Sequence, residues 1–263
     1  MQNNLLKVSW LLLVLLSGCA SLPGIDVATV DQQHVEYALI KGGTPVVVFE
    51  NGLGASMNSW SKVLPVIGQE ATVFAYNRPG YGHSDPATTP RDGAHIVNEL
   101  RALLRSRGLM PPYVLVGHSL GGLYMQLFAR RYPEEVRGLV LVDATHPTQM
   151  EGAGALERQS WWVRALVFMF LNGEREREFQ SAPLTGQEVL RLPTVTDKPV
   201  IILSAVDTRD DEVVKHSNRK RADFALLYPD GRQQWVESGH FIQNDKPEIV
   251  IKAIREVLAR DFE

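Results

Sequence analysis

Gly117-His118-Ser119-Leu120-Gly121 places a serine between two glycines in a Gly-x-Ser-x-Gly pattern. Glycine and serine are so common that the pattern alone says little, but its flanks say more. The apolar run Tyr113-Val114-Leu115-Val116 leads into it, and a helical stretch from Leu123 to Ala129 leads away. Strand, sharp turn and helix form the setting of a nucleophile elbow, where a strained turn lifts a serine hydroxyl clear of the backbone. The glycines are needed because neighbouring backbone passes close. The helix that follows offers free N–H groups and the positive end of its dipole, which favour a developing oxyanion. Such a serine attacks a carbonyl, and it needs a nearby base to take its proton.

On these residues the chain resembles the α/β-hydrolase family, and four further segments match that family in order. Glu50-Asn51-Gly52-Leu53-Gly54 follows an apolar strand, where the family builds the second half of its oxyanion hole. The resemblance implies a hole made by the backbone N–H groups of Leu53 and Leu120. The family more often carries His-Gly here; Asn51 departs from that, but a main-chain donor survives the change. Tyr76-Asn77-Arg78-Pro79-Gly80-Tyr81-Gly82-His83-Ser84 is similar to the turn after the next strand and reads as structural, with no chemistry of its own. Ser238-Gly239-His240-Phe241 stands where the family places its catalytic histidine, so the resemblance makes His240 the base. His118 lies inside the elbow, and the other five histidines have no matching context.

The fourth segment is the acid, and two placements remain open. The base needs a carboxylate to hold its tautomer and to stabilise the imidazolium. Asp143 ends the apolar run from Gly138, 24 residues after Ser119, which matches the earlier of the family's two placements. Asp207 follows the run Pro199 to Leu203, near the later and commoner placement, but the usual acid position falls on Thr208. Asp210 is close by. Asp143 is favoured, with Asp207 as the alternative. The chain order of serine, acid and histidine agrees with the family.

The elements that must hold these residues alternate. His34 to Ile40, Pro45 to Glu50, Thr72 to Tyr76, Tyr113 to Gly117, Gly138 to Asp143, Pro199 to Ala205 and Arg232 to Val236 read as strands. Most are continuous apolar runs, as expected of a parallel sheet covered on both faces. Ile96, Val97, Leu100, Leu103 and Leu104 mark one helix face, and Pro247 opens a last helix. The expected fold class is therefore α/β, a mainly parallel, doubly wound sheet. One segment breaks the alternation. Residues 145–197 show no clear strand but hold Trp161, Trp162 and the apolar stretch Val163 to Leu171, and they read as a helical cap over the site.

The first residues stand apart from this pattern. Lys7 precedes the apolar run Val8 to Leu16, which is too short to span a bilayer as a mature helix and reads as a secretory signal. It ends in Leu16-Ser17-Gly18-Cys19, which resembles the bacterial lipobox, where the chain is cut before the cysteine and that cysteine is acylated. Cys19 is the only cysteine of 263 residues, so no disulfide forms within the chain. The division expected is a lipoprotein signal peptide at 1–18, a tether at 19–31 and the hydrolase domain at 32–263. Attachment would be to a bacterial envelope membrane through the lipid. A net charge of -3 without a basic cluster argues against a nucleic-acid partner.

The resemblance implies a serine hydrolase acting on an ester-like acyl bond of a small, apolar substrate, with no cofactor and no metal. Acyltransferase, thioesterase and C–C hydrolase chemistry use the same three side chains. A non-catalytic binding lipoprotein on the same fold is the alternative of another class. Serine at the elbow argues against the haloalkane dehalogenase and epoxide hydrolase reactions, which the family runs with aspartate.

Overall fold

Apolar side chains alternate between the two faces of nearly every strand, and this sends the chain into three layers. The computed structural model describes residues 22–154, 171–209 and 212–260. Cys19, the run Val8 to Leu16, Trp161, Trp162 and Asp210 lie outside the described residues. Eight strands form one sheet: β1 (Ile25–Val30), β2 (Gln33–Ile40), β3 (Val46–Glu50), β4 (Thr72–Tyr76), β5 (Tyr113–His118), β6 (Val136–Val142), β7 (Val200–Ala205) and β8 (Arg232–Val236). Their order is β1-β2-β4-β3-β5-β6-β7-β8. The β1–β2 and β2–β4 pairs are antiparallel and all others are parallel. The sheet is thus mainly parallel, as expected.

Along β3 and β5, Val46, Val48, Tyr113 and Leu115 face one apolar layer. Val47, Phe49, Val114 and Val116 face the other. A strand with no polar face must be covered on both sides. The first layer holds α2 (Gly93–Ser106) and α3 (Leu120–Arg131), whereas the short α1 (Leu64–Ile67) lies on the opposite face. It also takes Ala182 and Val189 of α4 (Glu174–Arg191) and Phe224 of α5 (Glu212–Leu227). The short α6 (Ile242–Asp245) and the last helix α7 (Pro247–Leu258) cover the opposite face. In α7, Val250, Ala253, Ile254 and Val257 are buried at helical spacing. Helix α2 begins at Asp92, whose side chain caps the N–H of His95 at 3.1 Å.

One expectation is corrected. Residues 25–30 are not a tether: they form β1, an edge strand antiparallel to β2 from Ile25↔Ala38 to Val30↔Gln33. The hairpin turns through Asp31 and Gln32, whose φ angles of 49° and 65° are both left-handed. Two-residue hairpins demand that geometry and usually announce it with Asn-Gly or Gly. Asp-Gln gives no such signal, so β1 was illegible. The domain accordingly begins by Leu22, which is buried. Between β6 and β7 no strand occurs among the described residues, and α4 supplies the described part of the cap.

After β3 the chain moves out to β4 and then returns past β3 to β5. The β3–β5 gap is therefore a switch point, where loops leaving the carboxyl ends of parallel strands open a crevice. Asn51–Gly54 and Ser119 both lie there.

Candidate active site

Ser119 sits at the sharp turn between β5 and α3 with φ 53° and ψ -125°. A non-glycine residue in that region is strained and must be held. Its N–H donates to Val142 O at 3.2 Å, and its carbonyl accepts from Gly122 N and Thr145 N, each at 2.9 Å. The flanking glycines are sterically required. A Cβ on Gly117 would lie 2.6 Å from Gly122 Cα. One on Gly121 would lie 2.6 Å from the Glu50 carbonyl oxygen and closer still to that of Asn51.

The structure brings Ser119, His240 and Asp143 together from three separate loops. His240 Nε2 is 3.0 Å from Ser119 Oγ, and its Nδ1 is 2.7 Å from Asp143 Oδ2. An ionised carboxylate only accepts, so Nδ1 carries a proton and Nε2 is left to accept from the serine hydroxyl. The His240 loop is pinned by Asp245, whose Oδ2 accepts from Gly239 N at 3.1 Å and Ser238 Oγ at 3.2 Å. His118 adds a second pin. Its Nε2 is 2.9 Å from the His240 carbonyl oxygen, and the two rings lie 4.6 Å apart. Because the carbonyl can only accept, Nε2 of His118 is the protonated nitrogen, and its buried Nδ1 has no partner. Burial, helped by the nearby His240, pulls His118 down to about 3, so it stays neutral.

Asp143 is almost fully buried at the end of β6, with φ 38°. Its Oδ1 accepts from Ala205 N at 3.0 Å and Arg221 Nε at 2.7 Å, and its Oδ2 accepts from Arg221 Nη2 at 2.8 Å as well as from His240. Burial alone would raise this carboxyl. The Arg221 fork and His240 outweigh burial and hold it well below the usual carboxylate range. Asp207 is turned elsewhere. Its carboxylate takes the N–H of Arg209 at 3.1 Å and that residue's Nη2 at 2.7 Å.

Leu120 is the first residue of α3, so its N–H belongs to the unpaired first turn. Leu53 leaves β3 beside the elbow: a Cβ on the preceding Gly52 would stand 3.1 Å from Ser119 Cβ and 2.9 Å from His118 Nδ1. The loop that carries Leu53 and the first turn that carries Leu120 thus both adjoin the serine. Together the parts can deprotonate a hydroxyl, present it to a carbonyl carbon and receive negative charge on the carbonyl oxygen. No group of three metal-ligating side chains occurs among the described residues.

Two residues of this site were not singled out in the sequence. Arg221 lies 78 positions beyond Asp143 in α5, and no local pattern marks it. Arg78 falls in the turn assigned no chemistry, yet it is buried against Glu50 and touches the Asn51 carbonyl at 2.8 Å. The signal available was Glu50 itself, an acid closing an apolar strand, which burial forces to find a cation.

Comparison with known proteins agrees with this architecture. A family model for the alpha/beta hydrolase fold matches residues 45–182. The Bacillus subtilis (strain 168) protein YqjL is 27% identical over 225 residues, covering 82% of this chain and 85% of that protein. The (lyso)-N-acylphosphatidylethanolamine lipase of Mus musculus is 29% identical over 131 residues, covering 48% of this chain and 38% of the lipase. The enol-lactonase of Burkholderia xenovorans LB400 superposes with a TM-score of 0.61 at 15% identity, covering 89% of this chain and 100% of that one. With the sheet, the switch-point crevice and the family match in agreement, this chain belongs to the α/β-hydrolase fold family.

Proposed function

We propose that this protein is a serine hydrolase that cleaves an ester-like acyl bond. One observation carries the reading: the unbroken relay from Ser119 Oγ to His240 Nε2 at 3.0 Å and from His240 Nδ1 to Asp143 Oδ2 at 2.7 Å. In this reading His240 takes the hydroxyl proton as Ser119 Oγ bonds to the substrate carbonyl carbon. The carbonyl electron pair moves onto oxygen, where the N–H groups of Leu53 and Leu120 receive it. Such donors are worth about 3–4 kcal/mol each where one has been removed. The pair returns as the bond to the leaving oxygen breaks, and His240 hands that oxygen its proton. Water, deprotonated by His240, then attacks the acyl carbon; its bond to Ser119 Oγ breaks, His240 returns the proton to that oxygen, and the acid leaves.

The family and the lipase among its relatives support a hydrolase. The name of the lipase describes a lipid substrate, and this favours a carboxylesterase-like reaction on an apolar acyl group. A serine-reactive fluorophosphonate tests the chemistry. Wild type should be labelled and Ser119→Ala should not; a folded wild type that resists labelling overturns the assignment in favour of a binding role. Hydrolysis of p-nitrophenyl esters of increasing chain length then measures the acyl preference.

We also propose that Cys19 carries lipid and holds the enzyme at a bacterial envelope membrane. The Leu-Ser-Gly-Cys sequence after an apolar run supports this. Intact-mass measurement of the mature wild type against Cys19→Ala should show the added acyl mass in wild type alone. An unmodified wild-type N-terminus would overturn it.

A further inference from the structure

Arg78 is about 1% exposed, and each of its five N–H donors has an acceptor. Nε donates to Glu178 Oε1 at 2.9 Å, and Nη1 donates to Glu50 Oε1 at 2.6 Å and to Asn51 O at 2.8 Å. Nη2 donates to Gly52 O at 3.2 Å and to Glu178 Oε2 at 2.8 Å. The rings of Tyr81 and Tyr124 stand 4.7 Å and 5.4 Å from the guanidinium carbon. One planar side chain thus joins the end of β3, two consecutive carbonyls of the Asn51–Gly54 loop, and a carboxylate of α4. A second link runs beside it: Gly54 N donates to Tyr81 Oη at 3.4 Å, and Tyr81 Oη donates to Glu178 Oε2 at 2.8 Å.

The Gly52 carbonyl and the Leu53 N–H belong to one peptide plane. In a trans peptide they point in opposite directions. A guanidinium that holds the carbonyl therefore turns the Leu53 N–H away from itself. Gly52 abuts the elbow, as the close approach to Ser119 Cβ requires. Burying two carboxylates with two guanidiniums, Arg78 and the Arg91 that stands 3.5 Å from Glu178, confers little net stability over apolar packing, so stability alone does not account for the arrangement. What the fork does supply is fixed geometry at two adjacent carbonyls, which an ammonium cannot give.

We propose that Arg78 is a positioning residue for the oxyanion-binding loop, and that its fork onto Glu178 makes the aim of the Leu53 N–H depend on how α4, the described part of the cap, is seated. The inference rests on the hydrolytic reading of Ser119. Anything that shifts α4, including an acyl group beneath the cap, is transmitted to the N–H that meets the oxyanion.

The test uses Glu178→Gln, Tyr81→Phe and Arg78→Lys in the full chain, with the p-nitrophenyl ester that wild type hydrolyses best. An alkyl boronic acid serves as the tetrahedral mimic. Glu178→Gln and Arg78→Lys should lower kcat by about tenfold or more with KM changed less than about twofold, and boronate affinity should fall in step with kcat. Tyr81→Phe, nearly isosteric, should show the same split at about two- to fivefold. Arg101→Gln removes a distant ion pair to Glu135 and supplies a control whose stability falls without the split. If the Arg78 or Glu178 variant does not fold, Tyr81→Phe decides. Folded variants with wild-type kcat and boronate affinity overturn the inference while Ser119-dependent turnover stands. Full turnover by Ser119→Ala overturns the hydrolytic reading instead.

Discussion

Arg221 grips both carboxylate oxygens of Asp143, Nε on Oδ1 at 2.7 Å and Nη2 on Oδ2 at 2.8 Å, and the second of these oxygens is the one that His240 Nδ1 also reaches. The carboxylate is thereby locked in rotation before the imidazole is considered. Ala205 N completes the lock from β7. Replacing Asp143 by Asn keeps the shape but makes its amide compete as a donor, so His240 loses its fixed tautomer. Asp143→Asn should lower kcat by about 10³–10⁴-fold. Asp207→Asn should leave kcat within about threefold, because Asp207 is bonded to Arg209 and not to His240. Steady-state ester hydrolysis by the two variants separates the two placements of the acid.

The same fork contributes to stability, with a defined pH dependence. Asp143 titrates in the folded state well below an unfolded aspartate, because Arg221 and His240 outweigh its burial. Its contribution is therefore fully present above about pH 5 and is lost as the pH falls below the ordinary aspartate range near 3.9. Arg221→Met should cost about 2–4 kcal/mol at pH 7, and the gap to wild type should narrow at pH 3. Urea denaturation at the two pH values measures both. An undiminished gap at pH 3 would assign the loss to packing rather than to charge.

Two buried histidines act higher in the pH range. Burial brings His118 down to about 3 and His146 to about 4, the latter helped by Lys220. Unfolded histidine takes up its proton near 6.5, so between that pH and the folded values the unfolded chain binds more protons. Stability is thus full above about pH 6.5 and falls as the pH drops toward 4. The melting temperature of wild type should decline from pH 7.5 to pH 4.5. His118→Gln, which keeps an N–H for the His240 carbonyl, should decline less over the same range.

The elbow glycines differ in kind from a glycine in open space. Gly121→Ala drives a methyl group into the Glu50 and Asn51 carbonyls, which are backbone and cannot swing aside. It should cost about 2–3 kcal/mol or more and slow fluorophosphonate labelling of Ser119. Gly108, at φ 70° with nothing near its missing Cβ, pays only backbone strain. Gly108→Ala should cost about 1 kcal/mol and leave labelling at the wild-type rate. Chemical denaturation beside timed labelling distinguishes the two.

What the chain reveals before folding is set by the range of the interaction. The strands are legible because an apolar run buried on both faces is a local pattern, as Val46 to Phe49 shows. Ser119 is legible because strand, glycine turn and helix are adjacent along the chain. The choice between Asp143 and Asp207 is not, because both follow apolar strands. It turns on β6 and β7 lying side by side, with Asp143 N on Leu203 O at 2.7 Å and Ala205 N on Asp143 Oδ1. Arg78 and Arg221 escape for the same reason: their partners, Glu178 and Asp143, are 100 and 78 positions away. The strand β1 escapes for a local reason, a left-handed turn made without glycine.

That strand shortens the leash. With Ile25 already paired to Ala38 and Leu22 already buried, only Ala20 and Ser21 separate Cys19 from the folded body. The three steps from Cys19 to Leu22 reach at most about 10 Å. A lipid on Cys19 would then press the β1 edge, with its half-exposed Ile25 and Val27, close to the headgroups. The domain would ride on the bilayer in a restricted pose instead of sweeping a hemisphere around its anchor.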